Sequence, residues 1–251
     1  MTFSMPYLRM ELIRQLHNPF TLAFTLALPA LMYIIFGASQ DYGTMSAGHG
    51  NVAFSVMVSM AAYGVMTAMT SLTSLAASEA SQGWGRQLSL TPLGTSGYAV
   101  SKVIVAFAYA ALSLLVVFVI GAATGAQADG AWRWLLTAGI IMVAGTIFGL
   151  YGLGVGLMFN SDSAAGLASI LLTFFAFFGN VFMPLSGTML AIAHFTPMYG
   201  VVELARWPLS EGYVDDTVTD PMWMPILNVI TWTLVFGALV ALGVKRSRNR
   251  V

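Results

Sequence analysis

The sequence predicts an all-α integral membrane protein of six transmembrane helices. It adds an N-terminal amphipathic helix in the interface, a short surface helix after the second span and re-entrant helices before the last. Three observations carry this. Hydrophobic residues make up 58% of the 251 and charged residues 8%, against roughly 25% charged in a soluble domain. Six apolar stretches, at 20–38, 52–77, 103–124, 134–159, 164–183 and 222–244, have no Lys, Arg, Asp or Glu in their interiors. Crossing the hydrocarbon takes about 20 apolar residues, and a charge at a span's centre costs ~2.5–3.5 kcal/mol on insertion. Third, the charges on the connecting segments divide by sign.

With six spans both termini share one side. That side holds Arg9, Arg14, Arg86, Lys102, Lys245, Arg246, Arg248 and Arg250, while the other holds Arg133 and Arg206 among seven acidic residues. The positive-inside rule places the termini in the cytoplasm. Before the first span, in segment 1–19, Met5, Leu8, Leu12, Ile13 and Leu16 recur at helical spacing with Arg9, Glu11, Arg14 and Gln15 between them. This pattern suits a helix lying in the interface. Segment 184–208 is apolar in part but interrupted by His194, Pro197, Glu203 and Arg206. A seventh full span there would carry the basic tail outside, so the segment reads as re-entrant helices, tolerated where protein or water satisfies the backbone.

Composition excludes several function classes. The formal net charge is zero and no basic block suits nucleic acid. There are no cysteines, and the three histidines form no metal-ligand pair. No GxxxxGK[ST] loop is present with which the chain itself could hydrolyse a nucleotide. No metal or cofactor is expected.

The loop 78–101 is the one substantial cytoplasmic connection. It can form about two helical turns between Trp84 and Leu90, ended by Pro92, with Trp84 and Leu88 as apolar contacts and Arg86 and Gln87 polar. A short surface helix of this kind suits docking into a groove on a partner. The run Glu79…Gly83-Trp84-Gly-Arg86-Gln87-Leu88-x-Leu-Thr-Pro92-Leu, followed by Lys102, resembles the loop between the second and third spans of type-2 ABC-transporter permeases. A second stretch, Gly179-Asn180-Val-Phe-Met-Pro184-Leu with Ala193-His194-Phe-Thr-Pro197-Met-Tyr199-Gly and Leu204-Ala-Arg206, resembles that family's re-entrant segment. The resemblance covers essentially the whole chain. One departure is the loop itself, which has Ala80 and Trp84 where family members often carry Arg and Thr.

The resemblance implies a permease subunit of a bacterial exporter of the drug- or antibiotic-efflux type, in the cytoplasmic membrane, and not an enzyme. Glu79, Gly83, Trp84, Arg86, Gln87, Leu88 and Pro92 would form the coupling contact with a separate ATP-binding cassette ATPase, present in two copies. A second permease subunit, identical or not, would complete a homodimer or heterodimer among membrane lipids. The second and fifth spans would flank the path of an amphipathic drug, antibiotic or lipid-like molecule, with Thr67, Ser71, Phe174, Phe178 and Asn180 lining it. Pro184, Pro197, Glu203 and Arg206 would form the outer gate. A glycan-exporting permease of the same family and a non-transporting scaffold or sensor are the rival readings.

Two further motifs are weighed. Gly94-Thr-Ser96-Gly97 matches the nucleophile motif of rhomboid proteases, but Ser96 lies in the cytoplasmic loop and His49 and His194 on the outer side. Nucleophile and base must come within about 3 Å, which this topology forbids. The small-residue pairs Gly121/Gly125, Gly145/Gly149 and Gly152/Gly156 permit close helix approach, for which packing within the chain is the simpler reading.

Overall fold

The computed structural model describes residues 4–80, 94–159, 163–215 and 218–248, and these are mostly helical. In chain order the helices are α1 (Met5–Leu16), α2 (Pro19–Ala38), α3 (Val52–Glu79), α4 (Gly94–Ala123), α5 (Ala131–Ala144) and α6 (Ile147–Phe159). They continue as α7 (Ser163–Phe178), α8 (Gly187–Ala193), α9 (Pro197–Ser210) and α10 (Trp223–Arg248). Two small antiparallel hairpins join β1 (Ser46–Ala47) to β2 (Gly50–Asn51) and β3 (Tyr213–Asp215) to β4 (Val218–Thr219). Among the described residues, five stretches are long and apolar enough to cross a membrane: α2, α3, most of α4, the α5–α6 pair and most of α10. α7 is apolar but has only 16 residues.

α3 is the axis of the bundle. Its residues are buried without interruption from Met57 to Thr70, as expected of a helix apolar on every side. α2, α4, α6, α7 and α9 pack around it. Its C-terminus marks the end of the molecule where Glu79 meets Arg14 and Lys102, here termed the basic end. Its N-cap Asn51 marks the far end, where the amide bonds to Phe54, Gly125 and Gln127 and ties three segments together.

Glycine sets the closeness of α3 and α6. A Cβ at Gly156 would lie 2.6 Å from both the Ser74 carbonyl oxygen and the Ala77 Cβ, and one at Gly152 would enter the Thr70 carbonyl. These contacts lie within one chain. Gly152→Ala and Gly156→Ala should therefore each cost ~1–3 kcal/mol as the helices are forced apart. Gly139, with nothing within 4 Å of an added Cβ, should accept alanine without loss, since alanine is the better helix former by ~1 kcal/mol. Thermal unfolding in detergent separates the two classes; equal midpoints for all three would mean α3 and α6 do not need this spacing.

The first span departs from a regular helix for a traceable reason. Pro29 has no N–H to give the Thr25 carbonyl, and the helix widens to a π turn at Ala23–Ala27. Ser113 of α4 donates to that carbonyl at 2.6 Å, a substitution by a neighbouring helix that hydrocarbon makes obligatory. Gly64 of α3 leaves the space in which Ser113 and Pro29 meet.

Two expected spans are modified. The stretch 134–159 is broken at Gly145 and Thr146, where the chain tightens to i→i−3 bonds and the Thr146 hydroxyl donates to the Val143 carbonyl at 2.7 Å. The helix expected over 164–183 stops at Phe178, well ahead of Pro184. Asn180 adopts φ 60, and the Val181 N–H returns to the Ala176 carbonyl at 3.4 Å, closing the left-handed cap that ends many helices. Glycine at 179 is required by close approach: a Cβ there would lie 2.5 Å from the Phe175 carbonyl oxygen and 2.7 Å from the Met198 Cβ.

Candidate functional site

At the basic end, four charges and two tyrosines form one network. Glu11 Oε1 accepts from Arg14 at 2.6 Å and from Lys102 at 2.7 Å. Glu79 accepts from Arg14 at 2.6 Å through Oε1, and from Lys102 and the Tyr98 hydroxyl, the latter at 3.0 Å, through Oε2. The Lys102 ammonium also lies 5.3 Å from the centre of the Tyr98 ring. Glu11 and Lys102 are buried, at 3% and 7% side-chain exposure. Burial, then the Glu11 and Glu79 carboxylates, pushes the nearby Tyr7 phenol up to about 12.

This network reverses the simplest picture of α1. Its buried face is Leu8, Glu11 and Gln15, while Met5, Met10, Ile13 and Leu16 are exposed. The polar face grips the bundle and the apolar face looks outward, the arrangement an interfacial helix requires. Glu79 ends α3 and Lys102 lies in the early turns of α4, so the network clamps both bases of the loop between them. Of the residues expected in the coupling loop, Glu79 is placed here; Gly83, Trp84, Arg86, Gln87, Leu88 and Pro92 lie outside the described residues. Arg14 and Lys102 were readable as orienting charges and Glu11 as part of the polar face of the first helix, but none of them as a partner of Glu79. The available signal was Lys102 itself, the one charge in a 30-residue helix.

Along the membrane-spanning portion, α2, α3 and α7 enclose a groove of about 720 Å³. Thr67 and Ser71 line it with Phe24, Ser169, Thr173 and Phe177. The Thr67 and Thr173 hydroxyls donate to carbonyls one turn back on their own helices, leaving a mostly apolar wall. Phe174 and Phe178 do not join it. They stand on the exposed face of α7, at 57% and 41% exposure.

The far end holds a third site. Asn180 donates to Glu203 Oε1 at 3.0 Å and accepts from the Leu185 N–H at 2.8 Å. Arg206 donates to the same Glu203 oxygen at 2.9 Å and reaches Ser59 of α3 at 2.6 Å. Asn180 and Glu203 are buried, and with Pro184, Arg206 and Ser55 they border a cavity of about 550 Å³. Pro197 takes another role, starting α9 at its first turn, where its missing N–H costs nothing. The structure thus separates the expected path residues into the groove, the exposed face of α7 and the far-end cavity.

His194, the residue that follows α8, bridges that helix to the segment before α10. Its Nδ1 lies 2.7 Å from the Leu190 carbonyl oxygen and its Nε2 2.9 Å from Asp220 Oδ2, which also accepts from the Tyr199 hydroxyl. Burial and that hydrogen bond push the Tyr199 phenol upward. Arg133, at the start of α5, donates to the Pro208 carbonyl and caps the end of α9. Among the described residues no group of three His, Asp or Glu side chains is placed to hold a metal ion.

The chain is similar to known proteins. Residues 7–209 match the family model described as ABC-2 type transporter. A Bacillus subtilis (strain 168) protein provisionally named transport permease YvfS is 26% identical over 233 residues, covering 91% of each chain. The multi-pass helical bundle and the family match agree, and the chain belongs to the ABC-2 type transporter family.

Proposed function

We propose that this chain is the permease subunit of an ATP-driven exporter, docked through the loop after α3 on a separate ATPase and paired with a second permease subunit. Six spans, with α7 as the fifth, and cytoplasmic termini fit the charge distribution. The observation that carries the reading is the ion-pair network of Glu11, Arg14, Glu79 and Lys102, which fastens both bases of that loop to the interfacial helix. A push on the loop would reach α3 directly. α3 in turn holds Arg206 through Ser59 at the far end, 20 residues and about 30 Å along the same helix. An amphipathic drug, antibiotic or lipid-like cargo suits the groove of about 720 Å³, which falls within the ~300–1,000 Å³ of small-molecule sites. The exposed Phe174 and Phe178 would face the second subunit's side of the path.

The test is co-purification with candidate ATPases, followed by substrate-stimulated ATP hydrolysis in proteoliposomes. Arg86→Glu and Leu88→Asp should uncouple hydrolysis from transport while the spans stay inserted. Normal export by both stable variants would remove the loop from the coupling role. Failure of any ATPase to associate would favour a scaffold or sensor.

A further inference from the structure

Lys102 and Tyr98 also stand at one end of a separate groove of about 330 Å³, cut between α3, α4 and α6. We propose that this groove is a binding site for one acyl chain of an anionic phospholipid from the leaflet at the basic end, with its phosphate against Arg14. The proposal rests on the membrane-spanning character of these helices and is independent of the exporter reading.

The groove exists because its walls are built of small residues. Ala76, Ala77, Ala106 and Gly149 line it, and α4 and α6 pack on α3 rather than on each other. Its interior offers nothing to water. The hydroxyls of Thr73 and Thr146 are bonded to the Met69 and Val143 carbonyls, each at 2.7 Å. An apolar void of this kind stays dry, and an empty one deprives its lining of dispersion partners. At the depth of α3, α4 and α6 the bilayer supplies acyl chains.

Polarity appears only where a headgroup would sit. Lys102 is committed to Glu11 and Glu79, but across the Glu79 carboxylate stands Arg14, 47% exposed. Both of its ion pairs use Nη2, and among the described residues its Nε and Nη1 make no hydrogen bond. Arg14 does not line the groove, but it shares both carboxylates with Lys102, which does; its Nε and Nη1 leave single N–H donors for phosphate oxygens beside the groove's polar end.

The experiment uses the full chain in nanodiscs of phosphatidylethanolamine and phosphatidylglycerol at 3:1, re-extracted into detergent and weighed by native mass spectrometry. One phosphatidylglycerol per chain should survive extraction on the wild type. Gly149→Leu should reduce that retention about tenfold or more, equivalent to ~1.4 kcal/mol of affinity. An added Cβ at Gly149 lies 3.7 Å from Thr73 and 4.0 Å from Met69, in ordinary contact, so a side chain there can occupy the groove. Gly139→Leu, on open surface of the same span, should retain the lipid. Ala99→Phe, at the exposed edge of the groove, repeats the test should Gly149→Leu fail to fold. Equal retention by wild type and the filled variants overturns the site, as does a retained molecule that is not a phospholipid. Equal retention of phosphatidylethanolamine overturns the assignment of the headgroup to Arg14.

Discussion

Lys102→Met should be among the most damaging single substitutions in this chain, costing ~3–5 kcal/mol, the range seen when one partner of a buried ion pair is removed. The ammonium is the group that bonds both carboxylates from inside the bundle, and it is 7% exposed. Without it Glu11, at 3% exposure, keeps among the described residues Arg14 and a 3.4 Å contact from the Gln15 amide. A fall on the order of 10 °C in the unfolding midpoint in detergent is expected. The double variant Lys102→Met with Glu11→Met removes the stranded charge along with its partner and should recover much of the loss, because apolar replacement of a buried pair is often neutral. In the coupling assay the double variant separates structure from function. A stable protein with uncoupled hydrolysis would assign the network to transmission, and a stable, coupled one would leave it a structural clamp. An unchanged midpoint in Lys102→Met would show that the ammonium carries no net weight.

The apolar helices were legible because an apolar run without charge has few physical alternatives, and among the described residues five stretches are long and apolar enough to cross a membrane. The exceptions share a cause. Thr146 and Asn180 alter helices through hydrogen bonds and backbone angles that hydropathy does not register. The Glu203–Arg206 pair was visible as i, i+3 spacing and forms at 2.9 Å. Its bonds to Asn180 and Ser59 were not visible, because they join residues 23 and 147 positions apart. The basic-end network was hidden for a related reason. Glu11 and Arg14 look like the solvated face of an amphipathic helix until α1 is docked, and only docking shows that this face turns inward. Charge counts gave the end of the bundle on which these residues sit, and pairing required the fold.

At the far end, the expected result is that Asn180→Asp damages the protein more than Asn180→Gly, although aspartate is nearly isosteric with asparagine. The side chain performs two tasks. Its oxygen accepts from the Leu185 N–H and its nitrogen donates to Glu203. Asn180→Gly keeps the left-handed backbone, which glycine adopts freely, and loses both bonds, each orphaned buried group costing ~1–3 kcal/mol. Asn180→Ala loses the same bonds and adds the ~1–2 kcal/mol of left-handed strain that a Cβ brings. Asn180→Asp keeps the bond to Leu185 but turns a donor into a second carboxylate at the 3.0 Å contact with Glu203. Arg206 alone must then balance two buried anions, and its Nε and Nη2 are already given to Ser59. The paired exchange Asn180→Asp with Glu203→Gln restores one amide and one carboxylate to the same contact and leaves Arg206 a partner within reach. It should return most of the lost stability, and with it transport if the cavity is the outer gate. An exchanged pair as unstable as Asn180→Asp alone would show that Glu203 is held by its position on α9 and not by the charge it shares with Asn180.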